Sequence, residues 1–101
     1  MRFAEFTIKV GYYSTCDTIC YVINVPQDLQ ARLIAMIEHD DAQKLKGYSF
    51  EKHSKQMKGV PLTTILNWVT ASGWTLRTSD AWGNDQSTSW RSYLFTENDG
   101  V

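Results

Sequence analysis

The stretch LNWVTASGWTLRT, residues 66–78, predicts the end of a helix, a sharp stop and the start of a strand. Pro61 suits a first helical position and Gly73 suits the residue after the last turn, so we expect a helix over residues 61–72. Glycine takes a positive φ without steric cost, and a strand is expected over residues 74–79. The apolar residues of the helix recur at steps of three and four, which predicts one buried face: Leu62, Ile65, Leu66 and Val69.

Two tryptophans flank this turn. Trp68 lies near the edge of the apolar helix stripe, and Trp74 follows Gly73 directly. Their large rings suit a place between two packed elements. We therefore expect both rings to fix the helix to the sheet.

Strands are predicted at both ends of the chain. AEFTIKVGYY, residues 4–13, alternates apolar and polar side chains, with Glu5, Thr7 and Lys9 on the polar face. Residues 14–17 are turn-forming, and residues 18–25 are rich in β-branched and aromatic side chains, as in the second strand of a hairpin. At the other end, residues 80–85 predict a loop, residues 88–95 a returning strand, and residues 96–101 a polar, frayed tail.

The middle of the chain predicts one further helix and one ill-determined segment. Residues 26–39 have Pro26 at the first position, Asp28 in the first turn, and a stripe formed by Leu29, Leu33, Met36 and Ile37. Residues 40–59 suggest a helical turn followed by a short extended piece around GYSF. The resulting order is β-β-α-(loop or α)-α-β-β. It predicts a single α+β domain, residues 1–101, with an antiparallel sheet of about four strands (two hairpins) and two helices packed on one face.

The composition limits the classes of function. The net charge is −1 and hydrophobic residues make up 43% of the chain, values typical of a globular domain without a strong field toward nucleic acid. No apolar run reaches the length of a membrane span, and the first residues lack an apolar leader. We expect a cytoplasmic protein, in the bacterial host if phage-encoded, with reduced thiols and no membrane contact. Aromatic residues reach 13%, which indicates a core of large rings, an adhesive surface, or both.

The same helix-Gly-Trp-strand pattern carries a family resemblance. The chain resembles a family of small uncharacterised bacterial and phage domains through Leu66, Asn67, Val69, Gly73, Trp74, Leu76, Tyr93, Leu94 and Phe95. The opening strand EFTIKV also matches, whereas residues 14–60 depart from the family. The resemblance implies a fold and no reaction, so it supplies no catalytic residue.

The thiols and acids form no recognisable metal or redox motif. Cys16 and Cys20 have CxxxC spacing, whereas redox and zinc sites favour CxxC with further ligands. The acids and histidine of EHDD, residues 38–41, lack the glycine turn of a calcium loop. We expect a buried Cys20, a half-exposed Cys16, and neither metal nor cofactor.

Two segments are candidate binding surfaces. Lys44, Lys46, Lys52, Lys55 and Lys58 less Glu51 give residues 44–58 a charge of +4, and Tyr48 and Phe50 lie among them. Lysines interleaved with aromatic rings suit single-stranded nucleic acid, although a charged loop of this kind is more often only solvated.

The second segment is the C-terminal hairpin. A loop centred near Asn84 places Arg77 opposite Arg91, and like charges across a ladder are unfavourable unless an acid or anion lies between them. Glu5, Glu97 or water can fill that role, as can a phosphate held with Tyr93 and Trp82. A register one residue different separates the arginines.

These observations favour a non-enzymatic binding domain acting through a protein partner or its own copies. One version is a phage or prophage accessory protein that inhibits a host defence factor. The first alternative is a binder of a small anionic, nucleotide-like ligand at Arg77 and Arg91. The second is a single-stranded nucleic-acid binder, which the net charge disfavours. The residues show no nucleophile–base arrangement, so we do not expect an enzyme.

Overall fold

The computed structural model describes residues 1–11, 18–38, 47–82 and 88–98. Within them, six strands form one antiparallel sheet, and two helices pack on one of its faces. The strands are β1 (Phe3–Gly11), β2 (Ile19–Asn24), β3 (Ser49–Glu51), β4 (Gln56–Lys58), β5 (Trp74–Trp82) and β6 (Thr88–Glu97). The helices are α1 (Gln27–Glu38) and α2 (Leu62–Ala71). The spatial order of the strands is β3-β4-β2-β1-β6-β5, and the α+β class is confirmed.

The hydrophobic core lies between the helices and one face of the sheet. Alternation along β1 buries Ala4, Phe6 and Ile8 completely, and the ring of Phe6 meets that of Phe95 on β6 edge to face at 5.6 Å. The predicted helix stripes supply the other side of this core: Leu29, Leu33 and Ile37 from α1, and Ile65 and Val69 from α2. Each such buried side chain contributes about 1.5–3 kcal/mol, so these stripes explain why both helices lie on the same face.

The expected sheet of about four strands is wrong, because the described residues contain six. The two additional strands, β3 and β4, form a hairpin within the segment that the sequence left ill-determined. β4 pairs with β2 and places Met57, which is 1% exposed, opposite Cys20. Strands of three residues are too short to show a periodic pattern. Their position is set by pairing with the edge of β2, which is distant in the sequence.

The C-terminal strands are longer than predicted. β5 runs through Asp80 to Trp82, where a loop was expected, and β6 includes Thr96 and Glu97 of the expected frayed tail. The backbone N–H of Asn98 also donates to the carbonyl of Gly73 at 2.8 Å, which ties the next residue to the helix–strand turn. Extended pairing along the whole hairpin explains both differences.

Two sequence predictions involve residues that the structure does not describe. The turn expected over residues 14–17 lies outside the described residues, as does the segment 40–46 in which a helical turn was suggested. The strands on either side of the first turn are confirmed: β1 pairs with β2, and Ile8 lies opposite Cys20.

The turn after α2 has the predicted geometry. Gly73 has a φ of +93°, and its N–H donates to the carbonyl of Thr70 at 3.1 Å. Trp74 is buried at 3% exposure on the helix-covered face. Trp68 has a different partner from the one expected, because its half-buried ring meets Tyr48 edge to face at 6.0 Å. Trp74 therefore packs in the core, while Trp68 packs against the residue preceding β3.

An arginine next to the first strand joins three elements. The guanidinium of Arg2 donates to both carboxylate oxygens of Asp28 at 2.8 Å and also to Glu97 of β6. The same group lies over the ring of Trp74, 5.5 Å from its centroid. This arrangement links the chain start to the first turn of α1 and to the end of β6.

Candidate functional site

The face of the sheet opposite the helices is the candidate functional surface. We call it the open face; it carries Glu5, Thr7 and Lys9 of β1, Tyr21 of β2, Trp82 of β5, and Trp90, Ser92 and Leu94 of β6. These residues share a face because cross-strand partners in an antiparallel ladder point to the same side. Alternation brings large rings to this side although the core lies on the other.

Three aromatic side chains form a row across the open face. Trp82 lies opposite Trp90 on the neighbouring strand and is 44% exposed. Tyr21 and Trp90 stack over the intervening strand β1, with centroids 5.9 Å apart and ring planes inclined by 23°. The ammonium group of Lys9 lies 5.9 Å from the centroid of Trp90. We call Tyr21, Trp90 and Trp82 the aromatic row.

A groove lies beside the aromatic row, over the middle of the sheet. We call it the central groove; its volume is about 350 Å³, and it is lined by Glu5, Thr7, Tyr21, Ile23, Asn24 and Trp90. Its form depends on a bulge between β1 and β2, because Asn24 pairs with Glu5 while Tyr21 pairs with Thr7. Ile23 lies on the same side of β2 as Tyr21, is 64% exposed and lines the groove, and the extra residue brings Asn24 rather than Ile23 opposite Glu5.

The structure separates the two arginines of the C-terminal hairpin. Arg91 lies opposite Ala81, and Arg77 is the extra residue of a bulge between Leu76 and Thr78. The Nε of Arg77 donates to the hydroxyl of Thr96 at 2.7 Å. The register thus removes the predicted opposition of like charges. The Nε of Arg91 is buried and has no hydrogen-bond partner among the described residues.

The two aromatic residues predicted beside those arginines lie on opposite faces. Tyr93 pairs with Phe6, faces the helices and belongs to the core at 8% exposure. Trp82 belongs to the open face. Only Trp82 of this predicted set therefore joins the aromatic row.

In the lysine-rich segment, residues 44–58, the aromatic rings and the lysine charges that the structure describes do not form one surface. Lys52 and Lys55 lie in the β3–β4 turn, and the carbonyl of Lys55 accepts the N–H of Val22 at 3.0 Å. Tyr48 contacts Trp68, and Phe50 is half-buried against the core. Lys58 forms an ion pair with Glu51 at 2.8 Å, while Lys44 and Lys46 lie outside the described residues. These rings have packing roles, so nucleic-acid stacking on them gains no geometric support.

The described cysteine is a core residue. Cys20 is a free, completely buried thiol, as predicted, and burial raises the pKa of that thiol. Cys16 and most of the EHDD segment lie outside the described residues. Groups of three or more His, Cys, Asp or Glu side chains that could hold a metal ion do not occur in the described part of the chain.

The residues of the central groove were not singled out from the sequence. Alternation did place Glu5, Thr7 and Lys9 on the polar face, and Trp90 on one face with Ser92 and Leu94. The sequence did contain one indication of this surface. Tyr21 and Trp90 are aromatic residues on the polar side of alternating strands. Their stacking depends on the register of both strands with β1, which the sequence alone did not give.

Comparisons with known proteins add no relative. Scans against protein-family models, curated proteins and solved structures returned no match. Neither helix in the described residues has the length and apolarity that crossing a bilayer requires.

Proposed function

We propose that this protein is a non-enzymatic binding domain whose open face contacts a protein partner. The observation that supports this function most is the aromatic row on a face that the two helices leave uncovered. Tyrosine and tryptophan are enriched at interface hot spots, because their rings bury large areas and keep a polar edge. Ile23 and Phe3, which are 64% and 58% exposed, add apolar area to the surface.

One form of this function is inhibition of a host factor by a phage or prophage accessory protein. The support for that form is the size of the chain and the resemblance of residues 66–76 and 93–95 to small phage and bacterial domains. A second copy of the chain is the other occupant that a sheet face of this kind suits.

Site-specific photo-crosslinking in cells tests the proposal. p-Benzoylphenylalanine at Ile23 reports on the open face, and the same group at the exposed Asn67 of α2 serves as the matched control. We expect a discrete protein adduct from position 23 and none from position 67. An adduct with the chain itself identifies a homo-oligomer. Equal labelling at both positions, or adducts from position 67 alone, contradicts the proposal.

A small anionic ligand is the second candidate, now centred on Arg91 without Arg77. The observation in its favour is that the Nε of Arg91 and the hydroxyl of the buried Ser89 both lack hydrogen-bond partners among the described residues. Both residues alternate onto the same side of β6, and unpaired buried polar groups are costly. Native mass spectrometry of Arg91→Glu, with Arg77→Glu as the control from the same hairpin, tests it. Retention of an anionic mass by Arg77→Glu and its loss from Arg91→Glu support this candidate.

A further inference from the structure

The central groove has the chemistry of a cation site. Glu5 is the one carboxylate among its lining residues, which include no Lys, Arg or His, and Thr7 and Asn24 add uncharged polar groups. The ion pairs between described residues are Arg2–Asp28, Arg2–Glu97 and Lys58–Glu51, so Glu5 has no ionic partner in the described part of the chain. An ionised carboxylate at the groove attracts positive charge and repels phosphate or carboxylate ligands.

The aromatic walls favour the same sign of charge. Tyr21 and Trp90 line the groove, and the faces of aromatic rings attract cations. Trp90 already has a cation near it, because the ammonium group of Lys9 lies 5.9 Å from its ring centroid. Lys9 is absent from the groove lining, so the groove itself, on the side of Glu5, holds no cationic side chain of the described residues.

The shape of the groove favours a planar cation on a side chain. Its volume of about 350 Å³ is at the small end for ligand sites, which suits one long side chain rather than a folded peptide. A guanidinium stacks on aromatic faces and donates two parallel hydrogen bonds to one carboxylate, whereas an ammonium group is a compact point charge. Glu5 beside Tyr21 and Trp90 offers both kinds of contact.

We propose that the central groove receives an arginine side chain of the protein partner, stacked on Tyr21 and Trp90 and paired with Glu5. This inference rests on the proposed function, because it assigns one anchor residue to the partner that contacts the open face. Ile23 lines the groove and provides the apolar wall for the methylene stem of that arginine.

The test uses three small probes and the indole N–H signal of Trp90 in NMR spectra of the full chain. The probes are Nα-acetyl-arginine-N-methylamide, its uncharged citrulline analogue, and adenosine monophosphate. We expect the arginine probe to shift the Trp90 signal and to bind roughly tenfold more tightly than citrulline, because a charge-assisted contact is lost in the analogue. Equal binding of the arginine and citrulline probes overturns the proposal.

Two substitutions, one removing a negative charge and one removing a positive charge, test the sign of charge that the groove prefers. Glu5→Gln should weaken binding of the arginine probe roughly tenfold, and the exposed Glu38→Gln at the end of α1 should leave it unchanged. Lys9→Met removes a positive charge near the groove and should therefore increase the affinity for the positively charged arginine probe. The proposal is wrong if adenosine monophosphate, rather than the arginine probe, shifts the Trp90 signal and Lys9→Met weakens binding of the nucleotide. The groove is then an anion site.

The two proposals fail separately. Crosslinks from position 23 without arginine binding at the groove leave the open face as the interface and remove the arginine anchor. Arginine binding at the groove without crosslinks from position 23 keeps the cation site and removes the protein partner.

Discussion

Tyr21 and Trp90 stack across strand β1, although they belong to strands that do not pair with each other. Their ring centroids are 5.9 Å apart, and both side chains are half-buried. Thr7 and Lys9 lie between them in the ladder, opposite Tyr21 and Trp90 respectively. The pair therefore joins three strands on the side of the sheet away from the core.

The stacked pair should contribute measurably to stability. Such aromatic contacts are worth about 0.5–1.5 kcal/mol beyond their buried area. We expect a double-mutant cycle of Tyr21→Ala and Trp90→Ala, followed by urea unfolding, to give a coupling free energy in that range. A cycle of Trp90→Ala with Leu76→Ala on the other face serves as the control and should give none. Additive effects of Tyr21→Ala and Trp90→Ala would contradict a direct contact.

The ion pair of Arg2 with Asp28 should make the free energy of unfolding depend on pH in the acid range. The hydrogen bond that Arg2 donates holds the pKa of Asp28 below its ordinary value of 3.8. Because the folded-state pKa is the lower one, the linked stability is present above the unfolded pKa and is lost as pH falls through the folded value. We expect Arg2→Gln to raise the pKa of Asp28 toward 3.8 in a carboxyl-carbon NMR titration.

Two conditions control that titration. Lys52→Gln removes an exposed charge in the β3–β4 turn and should leave the pKa of Asp28 as it is. High salt should weaken the effect of Arg2, since the three side chains of this group are partly exposed. An unchanged pKa of Asp28 in Arg2→Gln would show that the ion pair does not persist in solution.

The long elements were predictable because their patterns repeat within one element. The stripe of α2 and the alternation of β1 each involve several residues, so a single exception does not hide the period. Gly73 was predictable for a different reason, since a helix that turns directly into a strand commonly requires positive φ. Both kinds of signal are local.

The features that were missed depend on distant residues. β4 is defined by its pairing with β2, and its one core side chain, Met57, is recognisable only once Cys20 lies opposite it. The bulge at Arg77 also changes the face on which the following side chains of β5 lie. Alternation predicted Thr78 on the same face as Trp74 and Leu76, whereas Thr78 pairs with Leu94 on the open face. One extra residue reverses every later side chain of a strand, so the register of Arg91 could not be read from spacing.

Gln30 should stabilise the connection between β2 and α1. Its side-chain amide is buried and donates to the carbonyls of Val25 at 2.7 Å and Val22 at 3.0 Å. Gln30→Met keeps the shape but removes both donors. The carbonyl of Val22 also accepts the N–H of Val25 at 3.2 Å, so the expected loss comes from the carbonyl of Val25, and leaving one buried acceptor unpaired costs about 1–3 kcal/mol. Urea unfolding should show this loss, whereas Gln27→Met at the exposed start of the same helix should change little. A loss below about 0.5 kcal/mol would mean that water replaces the amide.

Substitution of Gly73 should show how much the positive φ of the helix–strand turn costs a residue other than glycine. A Cβ added at this residue meets no atom within 4 Å, so any cost of Gly73→Ala comes from the φ of +93° rather than from a clash. We expect Gly73→Ala to lower the free energy of unfolding by about 1–2 kcal/mol, and Gly73→Asn by less, since asparagine tolerates positive φ better. Thermal and urea unfolding measure both, with Asn67→Ala on the exposed side of α2 as a control that should not destabilise. Equal stability of Gly73→Ala and the parent chain would show that the turn adopts another conformation in solution.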